Sequence, residues 1–136
     1  MTKKSWEEKF YEKPNFKIKV IDRSFWGYVR GSKMLIPSPK IIEDYLNQSD
    51  EGLKLSVETM REDLAIEFGA DFTCPMTTAI FLRIVSEYSY EKYIENNSMD
   101  NICPFWRIID PNSKLADKLS FDKNFIIQKR KSEKRQ

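Results

Sequence analysis

The chain has 136 residues, 40% hydrophobic, 32% charged and 13% aromatic, which fits one domain with tails and excludes disorder throughout, since so many rings must leave water. It has no histidine and only two cysteines, Cys74 and Cys103, without CxxC spacing; imidazole bases, Ser-His and Cys-His pairs, a tetrahedral zinc site and a disulfide framework are thereby excluded. The net charge of +2 implies no partner by itself, and the lack of any apolar run near the roughly 20 residues that span a bilayer predicts a soluble, cytoplasmic protein without membrane contact.

Ser5-Trp6-Glu7-Glu8 has the spacing of a capping box and predicts a helix from Trp6 to about Glu12, stopped by Pro14. Phe16 to Val20 alternates apolar and basic residues with period two, the pattern of a strand with one face on a core. An aromatic loop, Phe25-Trp26-Gly27-Tyr28, follows; it reads either as a lid on the core or as a ring that stacks on a ligand base. After the short apolar run Met34-Leu35-Ile36-Pro37, Ser38-Pro39 opens a helix with Ile41, Ile42, Tyr45 and Leu46 at helical spacing. Ser56 caps a third helix whose stripe is Val57, Met60, Leu64 and Phe68, ended by Gly69. Thr73-Cys74-Pro75 opens the longest helix, to about Ile94, with Ile80, Phe81, Ile84, Val85 and Tyr88 expected to face inward. The third and fourth helices, joined by a short turn containing Gly69, have the arrangement of a helix-turn-helix. Pro104 to Ile109 reads as a buried strand or extended core segment closed by the turn Asp110-Pro111-Asn112-Ser113, and a last helix runs from Asp122 to about Lys131 before fraying.

Basic residues concentrate at the ends. From Lys123 to Gln136, six basic residues against one Glu amount to +5, a tail that is either a solvated end or a phosphate-seeking arm. Asp63 and Glu67 stand one helical turn apart, but without a metal partner they read as a solvated face.

The stretches MLIPSP, LSVETMREDLAIEFGADFTCPMTTAIFLRI and CPFWRIID, together spanning residues 34–110, resemble the DNA-binding domain of the O6-methylguanine-DNA methyltransferase family, and more closely its alkyltransferase-like branch that lacks the acceptor cysteine. The resemblance implies a mostly helical α+β domain of winged helix-turn-helix type over residues 34–122, with a helix and strand extension over 1–33 and a basic helix and tail over 123–136. It implies double-stranded DNA as partner, bound without sequence preference, a repair protein as possible second partner, and neither cofactor nor metal. The family's Pro-Cys-His-Arg becomes Pro104-Phe105-Trp106-Arg107, so the thiolate and its base are replaced and the suicide transfer is lost. What the resemblance leaves is a base pocket lined by Pro104, Phe105, Trp106 and Arg107, and DNA contacts from Thr73, Met76, Thr77 and Thr78; the charge of the tail adds Arg130, Lys131, Lys134 and Arg135 as expected phosphate contacts. Two other readings stay open: an alkyl acceptor at Cys103 or Cys74, the latter at a helix start that lowers a thiol's pKa, and a winged-helix domain that binds protein instead of DNA.

Overall fold

The computed structural model describes residues 4–134. Helix α1 (Trp6–Glu12) starts as expected: Ser5 Oγ accepts from the Glu8 amide at 3.1 Å, and the Ser5 amide donates to Glu8 Oε1 at 2.8 Å. Strands β1 (Lys17–Val20) and β2 (Lys33–Ile36) pair antiparallel, Lys17 opposite Ile36 and Val20 opposite Lys33. Ser38 and Ser56 cap α2 (Pro39–Asn47) and α3 (Val57–Glu67) through their hydroxyls, and Gly69, at φ +73°, turns the chain out of α3 as a left-handed residue after a helix must. The connection to the longest helix, α4 (Pro75–Asn96), holds a strand, β3 (Phe72–Thr73), which joins β2 in parallel and completes a three-stranded sheet in the order β1-β2-β3. The fold is thus mostly helical α+β, with short strands.

Helix α4 is the central element, packed by α1, α2 and the short helix α5 (Lys114–Lys118). Phe81, Leu82, Ile84, Val85 and Tyr88 are buried along it, but Ile80 is 56% exposed. One residue is about 100° of helix, so Ile80 falls outside the 81-84-85-88 stripe and joins Met76 on the outer face. Phe10 of α1 and Ile126 of the last helix, α6 (Asn124–Glu133), belong to the same core, which therefore unites the first, middle and last segments of the chain. A smaller cluster of Ile21, Met34, Phe72 and Cys74 sits at the sheet.

Three expectations are corrected. All four residues of β1 are exposed, because β1 is a sheet edge while α3 packs on β2 and β3. The segment after Pro104 is buried but not extended: Phe105–Arg107 forms a 3-10 turn, in which the Phe105 carbonyl accepts from the amides of Ile108 and Ile109. This coil points the Phe105 ring inward, parallel to Phe125 with centroids 5.8 Å apart. Helix α6 does not fray at Lys131 but runs to Glu133, whose carboxylate is held by Arg107, Trp106 and the Gly52 amide. Among the described residues no helix is long and apolar enough to cross a membrane.

Candidate functional site

The first half of α4 presents a ridge of Met76 and Ile80, 59% and 56% exposed. Beside it, where α1 and α5 pack against α4, runs a groove of about 450 Å³. Its rim carries Lys4, Lys9, Lys13, Arg83 and Lys118, and a single carboxylate, Glu12, which Lys4 engages. That hydrogen bond from Lys4 holds the Glu12 carboxyl below its ordinary pKa, so it stays charged and neutralises one lysine only. Trp6 forms part of the lining, with Lys9 Nζ 4.3 Å from its ring centroid and the Arg83 guanidinium carbon 5.2 Å away. Arg83 is shared with Glu87, which is 2% exposed and also accepts from the Ser120 amide at 2.8 Å. Lys9 and Lys13 at the end of α1 and Lys118 at the end of α5 therefore keep most of the groove's free charge.

The opposite sign dominates elsewhere. Residues 34–122 hold eight basic and sixteen acidic side chains, and the exposed face of α3 carries Glu58, Glu62, Asp63 and Glu67. A duplex laid across α3 and α4, as in a helix-turn-helix, would meet these carboxylates; one laid on the α1 side of α4 meets lysines.

The residues expected at the site are dispersed. Phe105 is fully buried, Trp106 is 5% exposed and Pro104 is buried, so these three are core, and the Trp106 indole donates to Glu133 at 2.8 Å. Arg107 spends its guanidinium on Glu133 at 3.0 Å and on the Ser49 carbonyl at 2.8 Å. Burial would raise the Glu133 carboxyl, but the hydrogen bonds from Arg107, Gly52 and Trp106 outweigh it and leave the pKa below the ordinary value. Of the residues expected on DNA, Thr73 is buried and donates to the Arg61 carbonyl at 2.7 Å, and Thr78 is buried and donates to the Cys74 carbonyl at 2.6 Å. Thr77 is half-buried with no partner for its hydroxyl, and Met76 is exposed. The Arg130 guanidinium donates to the carbonyls of Trp106 and Ile109, at 2.7 and 2.9 Å, and burial depresses its pKa; it clamps α6 to the 3-10 turn instead of reaching outward. Lys131 and Lys134 are exposed, and Arg135 lies outside the described residues.

The cysteine alternatives meet the same obstacle. Cys103 is 1% exposed, and burial pushes its thiol far above the ordinary pKa, with the Glu43 carboxylate adding to the shift. Cys74 is 5% exposed, within the cluster at the sheet. Neither offers an accessible thiolate to an alkyl carbon. Among the described residues no group of three or more His, Cys, Asp or Glu could hold a metal ion.

The sequence reading missed Lys9, Lys13, Arg83 and Lys118. The lysines on the amphipathic N-terminal helix were its only signal, and nothing local placed that helix beside α4. No family model, curated protein or solved structure matches the chain.

Proposed function

We propose that the chain is a non-enzymatic module that binds double-stranded DNA without sequence preference, through the basic groove between α1, α4 and α5. The observation that carries this reading is the groove's composition: four lysines and one arginine from three separate elements, against one engaged carboxylate, along the exposed half of the longest helix. Lysines on a rigid frame contact phosphates and release counterions. Met76 and Ile80, exposed on the adjoining ridge, are the side chains placed to press on base steps, as apolar wedges do in minor grooves. Lesion preference, and recruitment of a repair protein to such a lesion, belong to the same reading as its finer part.

The test is fluorescence anisotropy of a labelled duplex carrying one O6-methylguanine, and of its unmodified twin, at several salt concentrations. Binding to both should weaken with salt, and each lysine removed in Lys9→Ala, Lys13→Ala and Lys118→Ala should lower the slope of log K against log salt by about 0.9. A slope unchanged in the triple variant refutes the groove as the interface. Equal affinity for the two duplexes removes the lesion-sensing part and leaves the general binding.

A further inference from the structure

A second cavity, about 520 Å³ in volume, lies between the aromatic loop and α3 and shares no lining residue with the basic groove. Phe25 and Tyr28 exchange backbone hydrogen bonds of 2.9 Å in both directions, leaving Trp26 at φ +52° and Gly27 at φ +82° as a tight two-residue turn. Positive φ at both centres suits Asn-Gly; a tryptophan there is strained, and at 60% exposed it recovers little by burial. Its indole lines the cavity instead. Tyr28, stacked on Phe72 at 4.1 Å and 5°, fixes the loop to the cavity wall.

The remaining lining is charged. Glu58 and Glu62 stand one turn apart on α3, and Asp71, whose carboxylate also accepts from the Lys33 amide at 2.7 Å, faces the same space. Opposite charge comes from Arg61 alone, whose Nε is buried without any hydrogen-bond partner. An occupant must satisfy two conditions. Net negative charge repels phosphate and carboxylate and attracts a cation, and an exposed indole attracts a cation to its face. A peptide carrying a lysine or arginine meets both, with its cation between Trp26 and the glutamates.

We propose that the cavity bounded by Trp26, Tyr28, Glu58, Arg61, Glu62 and Asp71 is the docking site for a basic peptide segment of a partner protein. It is separate from the lysine groove, so both sites can be filled at once.

The experiment is calorimetric titration of the full chain with acetyl-Gly-Arg-Ala-Arg-Gly-amide, beside the same peptide with both arginines replaced by glutamate. One-site binding of the arginine peptide is expected, with no binding of the glutamate peptide. Affinity should fall about tenfold in Trp26→Asn, a residue that fits the turn but offers no ring, and similarly in Glu58→Gln/Glu62→Gln, whose changes lie on an exposed face. Lys9→Ala/Lys118→Ala should bind the peptide as the native chain does, which separates this site from the DNA groove. Equal binding of the two peptides, or full affinity in both cavity variants, overturns the proposal. So does cavity-dependent binding of guanosine monophosphate in place of the peptide, which would make the site one for a nucleobase.

Discussion

Arg107→Ala distinguishes a structural role for this side chain from a role in reading DNA. Arg107 and Glu133 are each 11% exposed as side chains, and the guanidinium donates to both Glu133 oxygens at 3.0 Å and to the Ser49 carbonyl and hydroxyl at 2.8 and 3.0 Å. Removing one member of such a pair leaves the other's charge uncompensated, a loss of about 3 to 5 kcal/mol. The Trp106 indole and the Gly52 amide still donate to Glu133, which places the expectation at the lower end, about 3 kcal/mol. For a chain of this size that is a fall in Tm of about 10 °C, read by circular dichroism. The pH dependence carries a sign. Because the hydrogen bonds from Arg107, Gly52 and Trp106 hold the folded Glu133 carboxyl below its ordinary pKa, its stabilisation is complete above that ordinary value and is lost as pH falls through the folded pKa. Native chain and variant should therefore differ in Tm at neutral pH and converge as the pH falls below the ordinary carboxylate range. A variant within 2 °C or so of the native Tm at neutral pH, or a gap unchanged on acidification, would refute the reasoning. The folded variant at low temperature should bind duplex DNA as the native chain does.

Trp26→Asn should raise stability by about 0.5 to 1 kcal/mol, since asparagine tolerates the left-handed turn; a lower urea midpoint would show that Trp26 is not strained there. Cys103 should react with iodoacetamide only after unfolding, as followed by mass spectrometry; labelling of the native chain at the unfolded rate would reopen the acceptor reading. Glu87→Ala strips the Ser120 amide of its acceptor and Arg83 of its counter-ion, and should cost about 2 kcal/mol in urea unfolding, with no loss meaning that water replaces the carboxylate.

Local chemistry alone determined where three helices of this chain begin. Ser5, Ser38 and Ser56 each accept from an amide three residues on, which depends only on the sequence near them, and the helix starts at Trp6, Pro39 and Val57 were legible for that reason. The run Phe105-Trp106 is apolar in any context and was legible as buried; that it coils into a 3-10 turn was not, because the choice depends on Phe121 and Phe125 receiving the ring. Residues 17–20 alternate correctly for a strand, yet which face is covered depends on where α3 lies, and α3 covers neither face of β1. The tail shows the limit most plainly. Arg130 and Glu133 read as charge in a basic run, and only the packing of α6 on the 3-10 turn turns them into a clamp. Charge count is additive along a chain and legible from composition, but a site is a juxtaposition: Lys9 and Lys118 are separated by most of the sequence and meet because α1 and α5 pack on the same stretch of α4.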